Sequence, residues 1–338
     1  MAFDEILPNN GANESEEIEM NRPKKILVTG AAGFVGRAVC QELRKRNLAF
    51  IGSARRPDGE AVSHIAEIST VTNWSSALNG CDTVIHLAAR VHVMNENGIA
   101  GICAYRKTNL DATLHFAKEA LKHGVARFIF VSTIKVNGES SGIIPFSPDD
   151  VPKPHGSYSI SKFEAEQALI SLCQSSSMEL VIVRPPLVYG PGVRANFLRL
   201  MKLVCLGMPL PFGSITAERS MIAVENLADF LVLICSHPKA ANRIWLVSDG
   251  CDLKIGDLIK LISSAMCRPA LLFPLPVPVL RFFATLAGKG EQLDRFVNPL
   301  RVDISGAVNE LGWTPVISTK EAINNTVRQF LNTKTTPK

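Results

Sequence analysis

The sequence predicts an α/β fold, a doubly wound parallel sheet followed by a smaller C-terminal α/β part. Three observations carry that reading. Short apolar runs alternate with segments of helical periodicity through the first half of the chain. The turn after the first run is spaced with glycines, and after Arg184 the alternation loosens into a Pro/Gly-rich stretch, RPPLVYGPG. Strands alternating with helices imply right-handed βαβ units, and so a parallel sheet covered on both faces.

Taken in order, Lys24–Thr29 (KKILVT) reads as the first strand and Val35–Arg46 as the helix after it. Further strands are expected at Ala49–Ala54, Thr83–Leu87, Arg127–Ser132 and Leu180–Arg184, with helices around Tyr105–Lys122 and Tyr158–Cys173. Residues 1–22 read as a disordered acidic tail. Residues 23–185, with returning segments near 220–250, read as a cofactor-binding domain, and 186–338 mainly as a substrate-binding one. The most apolar stretch, Leu271–Gly288, holds three prolines and Arg281, so it reads as core or lid rather than a membrane span, with peripheral membrane contact as the alternative.

With 338 residues, 46% hydrophobic and 20% charged, the chain can bury a core and lacks the composition of a disordered or fibrous protein. The eight cysteines form no CxxC pair, so no metal site is expected and the thiols should be reduced and mostly buried. No basic segment followed by an apolar one opens the chain, so a cytoplasmic location is expected. All 36 Lys and Arg fall after residue 21 while six of the 31 acids fall before it, which leaves the body at +11. No Lys/Arg runs interleave with aromatics, so the charge points to small anionic ligands and not to nucleic acid.

The turn after the first strand reads TGAAGFVG, with Gly30, Gly33 and Gly36 spaced GxxGxxG. Glycines here allow a tight turn, a close approach of backbone N–H groups to a pyrophosphate, and close packing of the helix opened by Phe34 and Val35. Between a strand and a helix this reads as the dinucleotide loop of a Rossmann sheet, an ordinary glycine turn being the alternative. About twenty residues on, where an acid would bind a ribose 2′-hydroxyl, stand Arg55 and Arg56. Two guanidinium groups complement a 2′-phosphate, so NADP(H) is favoured over NAD(H). The alternative is that both arginines are solvated and Asp58 takes the acidic role.

Tyr158 and Lys162 form YxxxK at the start of an expected helix. Residues four apart share a helix face, so the ammonium should sit beneath the phenol, lower its pKa and make it an acid/base for an alcohol or ketone oxygen. Thr133, at the tip of the Arg127–Ser132 strand, could bond the same oxygen, with Ser132 as the fallback. The alternative is a strand end that merely caps the next turn. His86, inside an apolar strand, reads as a hydrogen-bonded core residue.

In this order, TGAAGFVG, VIHLAA, NLDAT, FVST, YSISK, RPPLVYGPG and ERSMIAVENLAD resemble the motifs of extended short-chain dehydrogenases/reductases, the group that contains UDP-sugar 4-epimerases, dehydratases and 4-ketoreductases. The resemblance runs from about Lys24 to Phe330. It implies cofactor contacts from Gly30, Gly33, Phe34, Val35, Gly36, Arg55, Arg56, Glu67, Ile68, Leu87, Ala88, Ala89, Asn109, Tyr158, Lys162 and Pro185. It makes Thr133, Tyr158 and Lys162 the catalytic trio, and Thr133, Asn196, Arg219 and Arg295 contacts to a UDP-sugar. Relatives pair as homodimers through two long helices, so a homodimer is expected.

Two positions depart from the pattern: Leu187 stands where relatives carry Asn, and Val91 where the 4-epimerase carries Lys. Lys135, two residues after Thr133, reads equally as a sugar-pocket residue or a salt-bridged surface lysine. Ile134 and Lys135 replace the Asp-Glu pair of dehydratases, so dehydration is disfavoured. The arginine pair tilts the reading to an NAD(P)H-dependent 4-ketoreductase that forms UDP-N-acetylquinovosamine from UDP-2-acetamido-2,6-dideoxy-4-hexulose. A UDP-N-acetylglucosamine or UDP-glucose 4-epimerase with bound NAD is the alternative, and a non-catalytic dinucleotide sensor a further one.

Overall fold

The computed structural model describes residues 22–55, 62–64, 68–91, 99–288 and 290–335. Residues 1–21 of the expected tail, together with Arg56, Asp58 and Glu67, lie outside the described residues. The chain begins β1 (Ile26–Thr29), α1 (Phe34–Lys45), β2 (Phe50–Ala54), β3 (Val62–His64), α2 (Ser75–Leu78), β4 (Thr83–His86) and α3 (Ile99–Arg106). It continues α4 (Ala112–Lys122), β5 (Arg127–Val131), α5 (Ser157–Gln174), β6 (Glu179–Arg184) and β7 (Leu187–Tyr189). The second half runs α6 (Ala195–Cys205), β8 (Glu218–Arg219), β9 (Met221–Ala223), α7 (Val224–Leu233), β10 (Arg243–Leu246) and β11 (Leu253–Lys254). It ends with α8 (Ile255–Ala265), α9 (Val277–Leu286), α10 (Gly290–Val297), α11 (Ser305–Leu311) and α12 (Thr319–Thr335).

Seven strands form one parallel sheet in the order β10-β6-β5-β4-β1-β2-β3. Its central strands are apolar at consecutive positions because both faces are covered. In β1, Ile26 and Val28 pack with Val39 and Leu43 of α1 and Phe230 and Leu231 of α7, while Leu27 packs with Phe116 of α4 and Leu169 of α5. The chain moves outward from β1 to β3 and then returns to lay β4 on the other side of β1. That reversal opens a crevice at the carboxyl ends of β1 and β4, where ligands bind in sheets of this kind.

Helix α1 buries Gly36, Val39, Cys40 and Leu43 on one stripe, and Arg44 and Lys45 close its last turn, where cations suit the helix dipole. Arg46 then pairs with Glu42 and with Asp229, tying α1 to α7. Strand β10 returns beside β6, so residues of the second half complete the sheet. A separate core gathers Tyr189, Phe197, Met201, Leu258, Ile262, Ile323 and Val327 from α6, α8, α12 and β7.

Three expectations need correction. The helix expected over Tyr105–Lys122 is interrupted by a π turn over Lys107–Asp111, an added residue that turns Asn109 inward to partners described below. The Leu271–Gly288 stretch is neither simply core nor lid, since α9 buries Leu280 but leaves Phe282, Phe283 and Leu286 exposed. Cys103, Cys251 and Cys267 are exposed, so only half the thiols serve as core.

Candidate active site

The glycine loop meets the crevice on backbone alone. Gly30 holds φ +70°, and a Cβ there would lie 3.0 Å from the Ala88 nitrogen, so the turns after β1 and β4 touch where only glycine fits. A Cβ on Gly36 would come within 2.2 Å of the Gly30 carbonyl. Gly33 donates to that same carbonyl at 2.8 Å. It caps α1 with no side-chain bond, so the first N–H groups of the helix, at Phe34 and Val35, face the loop. Backbone N–H groups at a helix N-terminus with no side chain in the way form an arrangement that suits a pyrophosphate. Leu87, Ala88 and Ala89 line the neighbouring turn half-buried, and Ala88 donates to Thr29 Oγ1 at 3.3 Å. Arg55 is exposed just past β2, and Ile68 packs half-buried against the α4 side of the sheet.

Helix α5 carries Tyr158 on its first turn and Lys162 one turn on. Lys162 is 2% exposed, donates to the Val131 carbonyl at 2.7 Å and lies over the Phe130 ring at 3.8 Å. Burial pushes it down to about 7, with Glu166 opposing. Tyr158 sits edge-on to Tyr105, ring centroids 6.2 Å apart. Burial pushes its phenol up to about 12, and Tyr105 adds to the rise. The lowering of the phenol expected from Lys162 is therefore not what this arrangement produces, because burial dominates both groups.

Asn109 supports this helix from behind. Its Oδ1 accepts from the Arg90 N–H at 2.8 Å, and its Nδ2 donates to the Arg90 carbonyl and, at 3.0 Å, to Ser161 Oγ. Ser161 in turn donates to the Tyr158 carbonyl at 2.7 Å. His86, 1% exposed, lies between Thr29 Oγ1 at 2.8 Å and Thr113 Oγ1 at 3.0 Å. Burial, then the Lys162 charge, pushes it down to about 3, so it is a neutral core residue as expected.

Thr133 caps the short turn Ile134–Val136, its Oγ1 accepting from the Lys135 N–H at 3.3 Å. The bond uses acceptor capacity only, so the hydroxyl proton remains available to another oxygen. Ser132 is 5% exposed, and its Oγ has no partner among the described residues. A buried orphan hydroxyl beside the crevice is what a bound group would satisfy. Pro185 is buried, and its carbonyl accepts from the Ile134 N–H at 3.0 Å.

On the substrate side, Arg219 donates to the Asn298 carbonyl at 2.7 Å. Burial first, then Arg295, pushes it down to about 10, while Glu139 opposes. Arg219, Arg295 and Glu139 therefore sit within electrostatic reach of one another, and Lys135 pairs with Glu139 at 2.9 Å. Asn196 and Arg295 are exposed, the former beside Ala195, which holds a left-handed φ of +55°. Leu187 and Val91 are also exposed, at 49% and 56%.

Sequence reasoning missed the Arg184–Glu166 pair, 1% and 0% exposed, with contacts of 2.6 to 3.2 Å and Asn137 on the remaining guanidinium side. The i,i+4 step from Lys162 to Glu166 was its only local signal.

A crevice at the carboxyl ends of a parallel sheet, a glycine turn at a helix N-terminus, and a helix that places a half-buried Tyr158 one turn from a buried Lys162 together define a Rossmann-type α/β protein. Residues 26–248 match the NAD dependent epimerase/dehydratase family, and the chain belongs to that family. It is 41% identical over 315 residues to a UDP-glucose 4-epimerase of Vibrio cholerae, covering 91% of this chain and 96% of that protein. It is 26% identical over 265 residues to the N-acetyl-alpha-D-glucosaminyl-diphospho-ditrans,octacis-undecaprenol 4-epimerase of Escherichia coli O157:H7, covering 75% and 77%. The structure of UDP-glucuronic acid 4-epimerase from Bacillus cereus in complex with UDP-glucuronic acid and NAD is similar at a TM-score of 0.74 and 26% identity, covering 91% of this chain and 99% of that one.

Proposed function

We propose that the protein is an NAD-dependent 4-epimerase of a UDP-sugar. The observation that carries the chemistry is Lys162, buried and bonded to the end of the strand that Thr133 follows, one helical turn from Tyr158. The likeness to the Vibrio cholerae enzyme supports epimerisation over the 4-ketoreductase reading.

NAD would be held by the backbone of Gly30, Gly33, Phe34, Val35 and Gly36, by the Leu87–Ala89 turn, by the Asn109 and Pro185 segments and by Tyr158 and Lys162. NAD is favoured over NADP(H), because the Bacillus cereus structure holds NAD and Arg55 stands exposed just past the end of β2. Bound NAD supplies hydride acceptance and return at C4.

Tyr158 takes the C4 hydroxyl proton as that carbon is oxidised and gives it back as the carbon is reduced. Lys162 holds the proton balance of the phenol. Thr133 donates its hydroxyl to the C4 oxygen throughout, Asn196 and Arg219 hold the UDP diphosphate, and Arg295 lies near the uridine. Rotation of the sugar about that anchor presents its other face for the return. A positioned acid/base of this kind contributes about 10²–10⁴-fold.

The reductase reading keeps one specific support, the Arg55-Arg56 pair with no acid at the 2′-hydroxyl position. One experiment separates the two. The purified protein is incubated with UDP-glucose and with UDP-N-acetylglucosamine without added cofactor, and products are resolved by chromatography. The C4 epimer is expected. No epimer, with stoichiometric consumption of added NADPH by a UDP-4-keto sugar, would overturn the proposal in favour of the reductase.

A further inference from the structure

Helix α9 is apolar on two faces. Val277, Leu280 and Ala284 pack against the second core. Val279, Phe282, Phe283 and Leu286, spaced i, i+3, i+4 and i+7, face outward with exposures of 38, 62, 59 and 70%. An exposed aromatic and aliphatic stripe of this kind on a helix whose opposite face is already in the core marks an interaction surface, so the outer face calls for an apolar cover.

The surface extends beyond the helix. Leu271 and Phe273, both exposed, lead into α9, and residues 210–213 run beside them through the Leu210–Leu272 bridge. The same loop exposes Leu206 and Met208. Arg268 donates to the Cys205 carbonyl at one rim, and Arg281 pairs with Asp294 of α10 at 3.1 Å at the other.

Charge indicates what the cover is. The two stretches that line this surface, residues 202–213 and 266–286, contain no Asp or Glu in a chain that has 31. Lys202 and Arg268 stand exposed along them, and Arg281 is exposed but paired with Asp294. A second copy docked face to face would set these cations against themselves, which disfavours a two-fold contact. An apolar layer with anionic headgroups complements both the aromatic face and its basic rim.

We propose that α9 and the 206–208 loop dock the protein peripherally on a bilayer containing anionic phospholipid. No helix among the described residues is long and apolar enough to cross a membrane, so the contact lies in the headgroup region. The test is flotation of the full chain with vesicles of phosphatidylglycerol mixed with phosphatidylcholine, against vesicles of phosphatidylcholine alone.

The wild type co-floats with the anionic vesicles, and Phe282→Ser/Phe283→Ser lowers its partitioning by at least about tenfold. Arg268→Glu, which leaves the apolar face intact, lowers it several-fold on the anionic vesicles only. The proposal fails if the wild type stays unbound, or if neither variant loses binding. It fails also if light scattering shows the wild type as a larger assembly that the serine variant breaks apart, because the face would then belong to a second copy.

Discussion

The Lys162 ammonium donates to the Val131 carbonyl at 2.7 Å, which fixes α5 to the strand end just before Ser132 and Thr133. Because burial pushes Lys162 down to about 7 and Tyr158 up to about 12, the pair has a proton to give up near neutrality. The form that has lost it is the one able to accept the sugar proton. The rate constant kcat should therefore rise with pH through about 7. Lys162→Met should lower kcat at neutral pH by about 10²-fold or more and move that limb upward, toward the raised value of the buried phenol. A pH–rate profile of both proteins checks this, and an unmoved limb would remove Lys162 from the acid/base pair.

Gly36→Ala should raise the Kd for NAD by about tenfold or more, because its new methyl meets the Gly30 carbonyl and Ala31 backbone, neither of which can rotate away. Fluorescence titration reads this directly. An unchanged Kd would mean that the dinucleotide lies elsewhere.

Glu166→Gln leaves the Arg184 guanidinium buried without its counter-charge, and should destabilise the fold by about 3–5 kcal/mol. Urea unfolding measures it. A loss under 1 kcal/mol, on the order expected of an exposed pair, would contradict the pair's burial.

His86 carries a folded pKa of about 3 against an ordinary 6.5. A lowered histidine binds fewer protons folded than unfolded between those values, so stability is whole above pH 6.5 and falls as pH drops toward 3. The loss attributable to this residue is about 2 kcal/mol between pH 7 and pH 5. His86→Gln should flatten the stability profile by that amount.

The sheet and its glycine loop were legible because a strand, a GxxGxxG turn and an amphipathic helix are local patterns. Tyr158 and Lys162 were legible because four residues make one helical turn. What sequence could not disclose are contacts between distant segments. The Asn109–Ser161 bond spans 52 residues, and the Arg184–Glu166 pair joins a strand to a helix whose burial no periodicity reveals. The π turn at Asn109 adds one residue to a helix whose composition continues without a break. The phenol's pKa was misjudged for a related reason, since desolvation depends on how the whole domain packs and not on the neighbour four residues away.

The central claim is that the Tyr158 oxygen exchanges a proton with the sugar. The most direct measurement is kcat for epimerisation by Tyr158→Phe, with bound NAD quantified in the same preparation. Retained NAD and a loss of about 10²-fold or more are expected; a variant within about threefold of wild type, below the contribution of any positioned acid/base, would contradict the account.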